Sequence, residues 1–76
     1  MLKEIHPKML EQLKNSYPKG TRVRLIKMND LYTKIEPGTL GTVTGVDDIG
    51  TIHVNWDTGS FLGVAFGEDK CQKIEE

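Results

Sequence analysis

His6, His53 and Cys71 are the side chains of this sequence best suited to hold a metal or to act as a thiol–imidazole pair. A zinc site needs such ligands in spaced pairs, and these three are scattered along the chain with no pair among them. Cys71 lies in a strand-like stretch with no obvious histidine partner, so a packed, unreactive thiol is expected. Ser16 and Ser60 lack the G-x-S-x-G context that would expose a nucleophile on a sharp turn. Asp47 and Asp48 pair as carboxylates only in sequence, because adjacent residues of a tight turn diverge. Neither G-x-x-x-x-G-K-[ST] nor a G-x-G-x-x-G between strand and helix is present, so no phosphate cradle is indicated. Gly38-Thr39-Leu40-Gly41 has the form G-x-x-G but enters a strand instead of joining helices, a weak signal for nucleic acid. The expectation is a chain without enzyme activity, metal or cofactor.

Binding is the chemistry that remains, and aromatic side chains carry much of it at interfaces. Trp56 alternates in phase with Ile52 and Val54, which favours the core, with an indole N–H that needs a partner at a rim. Tyr32 stands in an irregular stretch between Asp30 and Ile35 with no periodic reason for burial. The expected partner-binding rim is Asp30, Tyr32, Ile35, Trp56 and Phe66, suited to a protein segment with an apolar anchor beside a Lys or Arg. The alternative is a nucleic acid or nucleotide held by Arg22, Arg24, Lys27 and Lys34. Net charge is −1, yet residues 1–46 carry eight Lys/Arg against four Asp/Glu, and residues 47–76 carry two against seven. A uniformly basic nucleic-acid binder would not be distributed this way.

The elements that must position these residues divide at the first glycine. Before Gly20, Leu2, Ile5, Met9, Leu10, Leu13 and Tyr17 recur at spacings of three and four, the pattern of an amphipathic helix. Pro7 suits a first helical turn and Tyr17-Pro18 ends one, which predicts a helix over residues 6–16. About three turns are too few to be stable alone, so the stripe must dock on the rest of the chain or on a second copy. From Thr21 the period falls to two. Strands are predicted at Thr21–Met28, Thr39–Val46, Thr51–Asp57, Phe61–Phe66 and near Cys71–Ile74. Asp47-Asp48-Ile49-Gly50 and Asp57-Thr58-Gly59-Ser60 read as tight hairpin turns, and Asn29–Gly38 as a long loop. Gly41, Gly45 and Gly63 fall where strands bend or backbones approach closely. Five short strands in meander order curl most economically into a barrel. The predicted fold is mainly β, a small five-stranded Src-homology-3-like barrel over residues 20–76, with an N-terminal helix and connector over residues 1–19.

The chain's 76 residues bound the rest, since they suffice for one small domain and leave little core to surrender to a cleft. No apolar run approaches ~18 residues, so no membrane span is expected. A lone cysteine and the lack of an apolar leader pattern lead to the expectation of a cytoplasmic protein. The segments Tyr17-Pro18-Lys19-Gly20-Thr21-Arg22-Val23, Gly41-Thr42-Val43-Thr44-Gly45-Val46-Asp47-Asp48 and His53-Val54-Asn55-Trp56-Asp57, with Gly59-Ser60 and Gly67-Glu68-Asp69, carry a resemblance. Over residues 17–74 the chain resembles a family of small bacterial and phage domains of unknown function. The resemblance implies a small barrel and a home on phages or other mobile elements, where occupying a host defence protein is one plausible job. It implies no activity. Leu31, Glu36, Phe66 and Cys71 depart from the family's usual residues, all around one rim. The V-x-W-D-x-G-S block is also similar to small peptide-binding barrels of eukaryotic ubiquitin ligases, and Gly41–Val46 faintly resembles the KOW motif of ribosomal and transcription-elongation proteins. Fold-level analogy does not choose between such partners.

Overall fold

A computed structural model describes residues 5–28, 35–65 and 67–74. Helix α1 runs Pro7–Ser16, with Pro7 in the first turn where an N–H is dispensable. His6 caps it, its Nδ1 accepting the Lys8 N–H at 3.1 Å. At the other end the Tyr17 N–H donates to the Leu13 carbonyl at 3.0 Å, and Pro18 prevents continuation. The strands are β1 (Arg22–Lys27), β2 (Leu40–Val46), β3 (Ile52–Trp56), β4 (Gly63–Val64) and β5 (Lys70–Lys73). They form one antiparallel sheet in the order β4-β3-β2-β1-β5.

Alternation decides which side chains go inside. Val23 and Leu25 of β1, Val43 of β2, and Ile52, Val54 and Trp56 of β3 are buried, with Val64 and Cys71 from the two outer strands. Ile35 joins them from outside the strands, because Gly38 and Thr39 bond back to Leu25 and tie the chain just after Ile35 to β1. β2 crosses β3 closely at Gly41. A Cβ there would lie 2.5 Å from Cγ1 of Val54 and 2.7 Å from Cε3 of Trp56, so the residue must lack one. The β2–β3 turn closes through Asp47 and Gly50, the latter at φ 85°, a conformation that glycine adopts without strain.

Two features depart from the sequence reading. The fourth strand was expected over Phe61–Phe66, but among the described residues only Gly63 and Val64 pair with β3, opposite His53 and Ile52. The Leu62 carbonyl accepts the Trp56 indole N–H at 2.9 Å, and the Ala65 N–H goes to Oδ2 of Asp69 at 3.0 Å. Side chains thus take the backbone groups on both flanks of Gly63–Val64, and the ladder is short. The second difference concerns closure. Among the described residues β4 and β5 share no ladder; the Ala65–Asp69 turn links them, its Ala65 carbonyl accepting from Asp69 N–H at 2.9 Å. Among the described residues the sheet is not closed by hydrogen bonds.

α1 meets the sheet through its C-terminal half. Leu13 and Tyr17 pack against the core while Met9 stays half exposed, and Lys14 pairs with Asp48 of the β2–β3 turn at 2.8 Å. No helix among the described residues is long and apolar enough to cross a membrane.

Candidate binding site

Of the rim expected from the sequence, the described residues include Ile35 and Trp56. Ile35 is 5% exposed and Trp56 only 1%, so neither offers a face to a partner. Trp56 is a core residue whose indole N–H is satisfied internally by Leu62, which corrects its assignment to a binding rim. Asp30, Tyr32 and Phe66 lie outside the described residues, as does Lys34.

The basic first strand is likewise divided. Arg22 makes a two-pronged contact with Asp57, Nη1 to Oδ1 at 2.9 Å and Nη2 to Oδ2 at 2.7 Å, and also donates to Oγ1 of Thr42. The Arg22 hydrogen bonds hold the Asp57 carboxyl below its ordinary range, against slight desolvation. Arg22 is therefore a structural tie between β1, β2 and the β3–β4 turn. Arg24 and Lys27 are exposed, and the register carries β5 up beside them: Arg24 stands opposite Gln72 and Lys27 opposite Lys70. Lys70 and Lys73 were missed in the sequence because they are more than forty residues from β1. Only the pairing of last strand with first brings the four cations onto one ribbon.

On the acidic side, Asp47 organises its own turn. Its Oδ1 accepts the N–H groups of Thr51 at 2.9 Å and Ile49 at 3.2 Å, and its Oδ2 lies 2.9 Å from Nε2 of His53. Desolvation pushes this carboxyl up, but the Thr51 N–H, the His53 ring and the Ile49 N–H together outweigh it and hold it below the ordinary value. This is an Asx-type turn with a histidine at its side. Among the described residues no group of three His, Cys, Asp or Glu could hold a metal.

What the fold does assemble is a cavity of about 240 Å³ at the seam between α1 and the open end of the sheet. Leu13 and Tyr17 form its helical wall; Ile52, Val64, Ala65 and Cys71 form its floor, and Asp69 and Lys70 stand at its edge. Among the described residues α1 meets the rest of the domain through Leu13, Lys14 and Tyr17, and the cavity lies between that last turn and the residues of β4, β5 and the turn between them. Its chemistry is that of a slot for an apolar group. Burial pushes the Cys71 thiol up to about 11, and burial followed by the nearby Cys71 raises the Tyr17 phenol. Both stay neutral and protonated near pH 7, so neither is an activated nucleophile. The sequence signalled this site only through Leu13 and Tyr17 of the helical stripe and the turn at Gly67–Asp69.

Fold and site together define a small, mainly β domain flanked by one helix, with an apolar seam between them. The chain belongs to the family described as Domain of unknown function (DUF4314), whose model matches residues 6–74. No curated protein and no solved structure matches the chain.

Proposed function

We propose that the chain is a small non-enzymatic binding module that holds a protein partner by an apolar side chain in the seam cavity. The observation that carries this reading is the cavity itself, apolar in most of its lining, with Asp69 and Lys70 among its residues, and open to solvent. Interfaces draw most of their energy from one or two side chains seated in such a pocket. We read the fold as a Src-homology-3-like barrel whose edges approach without a shared ladder. The strand order and the long segment between β1 and β2 support that reading. The likeness of the sequence to bacterial and phage domains supports a place on a mobile element, with a host defence protein as one partner to be occupied. Nucleic acid held by Arg22, Arg24, Lys27 and Lys34 is the competing reading, and the engagement of Arg22 by Asp57 weakens it.

Ala65→Trp, which fills the cavity, tests the proposal. A partner recovered from the native host should bind the wild-type chain and lose at least tenfold in affinity with the variant, at an unchanged melting temperature. Equal binding by both, or recovery of nucleic acid in place of protein, overturns it.

A further inference from the structure

β1 and β5 lie side by side and carry Arg24, Lys27, Lys70 and Lys73 with no acidic residue in either strand. Lys27 stands directly opposite Lys70, at the bulge after Leu25. Like charges facing each other across a ladder repel, so this placement costs stability unless an anion answers it. None of the four cations has an ion-pair partner among the described residues, whereas Arg22, on the same strand, is held by Asp57. Lys70 also stands at the edge of the seam cavity. Further along the ribbon, Arg24, Gln72, Lys73 and Ile74 line a second depression of about 200 Å³. Asp69, the carboxylate at the cavity's edge, already accepts the Ala65 N–H, and Glu68 in the same turn is exposed. Positive charge therefore runs along the β5 edge from Lys70 at the cavity to Lys73, roughly 10 Å and three strand steps apart, with Lys73 rooted opposite Val23 and Lys70 on the other face of the strand.

We infer that the partner's binding segment is acidic: an extended peptide with one apolar anchor in the seam cavity and Asp or Glu two to four residues away, lying along the β1–β5 ribbon. This rests on the binding-module reading and gives its partner a chemistry. It reverses the charge expected from the sequence, which pairs the rim with a partner segment carrying Lys or Arg. The ribbon supplies attraction and register, and the cavity supplies the anchor. Four cations on a chain of net charge −1 suit a short acidic segment better than a nucleic-acid backbone, which rewards many phosphate contacts at once.

The test is selection of a random twelve-residue peptide library on the immobilised full chain, followed by fluorescence polarisation with the enriched peptides. Enriched peptides should share a Leu, Phe or Trp followed or preceded within four positions by Asp or Glu. Lys70→Glu combined with Lys73→Glu should weaken them at least tenfold with an unchanged melting temperature, and raising salt should weaken them progressively. Enrichment of Lys- or Arg-flanked anchors, or indifference to the double reversal, overturns the acidic partner. In that outcome the cavity reading stands and the lysines only blunt an edge strand. Peptides that bind Ala65→Trp as well as wild type overturn the cavity reading itself. A fifteen-nucleotide thymidine oligomer that binds more tightly than any peptide, and is lost on the double reversal, overturns both in favour of nucleic acid.

Discussion

The two faces of β1, β2 and β3 are made by alternate residues of the same strands, yet they are held by different physics. On the inner face, Val23, Leu25, Val43, Ile52, Val54 and Trp56 are all at most 5% exposed, and among the described residues no polar side chain is buried with them. On the outer face, Arg22 grips Asp57 and Thr42, and His53 leans on Asp47, all in contact with solvent. The inner face is a fit of shapes, where a lost atom leaves a void and an added one meets a neighbour. The outer face is a set of ties that water can partly replace. Stability should therefore depend steeply on the identity of inner residues and shallowly on that of outer ones.

The largest effect should come from Trp56→Ala. It empties the centre of the inner face and leaves the Leu62 carbonyl without its donor, and a loss of about 3–5 kcal/mol is enough to unfold a domain of this size. Thermal denaturation by circular dichroism reads it, and an unchanged melting temperature would dissolve the contrast between the faces.

Gly41→Ala comes next. Its new Cβ would press on Val54 and Trp56 and sit 3.2 Å from the Asn55 carbonyl oxygen, for a loss of about 1–3 kcal/mol. Gly45→Ala in the same strand meets nothing within 4 Å and should stay within about 0.5 kcal/mol. Equal losses at both positions would mean that backbone freedom, and not the close crossing of β2 and β3, sets the requirement for glycine.

Asp47→Asn should cost about 1 kcal/mol at neutral pH, because the side chain is partly exposed and only its bonds to Thr51, Ile49 and His53 are at stake. The pH dependence has a definite sign. The folded carboxyl titrates below its ordinary 3.8, so its contribution is complete above that value and is lost as pH falls through the lower, folded value. Wild type and variant should therefore converge in urea denaturation at the acidic end of a pH series. A gap that persisted below the folded value would assign the loss to the amide's geometry and not to charge.

The smallest effect belongs to Arg22 and Asp57. Despite good geometry, a double-mutant cycle on this solvent-exposed pair should give a coupling near experimental error that vanishes in concentrated salt. A coupling that survived salt would make the outer face as specific as the inner one.

How legible these faces were in the sequence follows from how local their causes are. Ile52-His53-Val54-Asn55-Trp56 alternates so cleanly that β3 and its buried side could be read directly, and Pro7 and Pro18 bracketed α1 to within a residue. β4 was overestimated because its length is limited by two side-chain hydrogen bonds, from Trp56 and from Asp69, that no periodicity announces. Ile35 was placed on a rim because its neighbours show no period; its burial comes from Gly38 and Thr39 bonding to Leu25, a contact across the chain. The candidate site was harder still. Its walls come from α1, β3, β4 and β5, and its cationic approach exists only because β5 pairs with β1. Alternation marks faces, but it does not say which strands become neighbours.

Cys71 gives this small domain a built-in clock. Its thiol lies on the inner side of β5 in the cavity floor and stays protonated near neutral pH, so an alkylating reagent meets a thiolate rarely, either through the cavity or when that edge lifts away from β1. The labelling rate in the intact protein reads how often that thiol is reached. An occupant of the cavity, whose floor includes the same thiol, would slow the clock and so report its own residence without any attached dye.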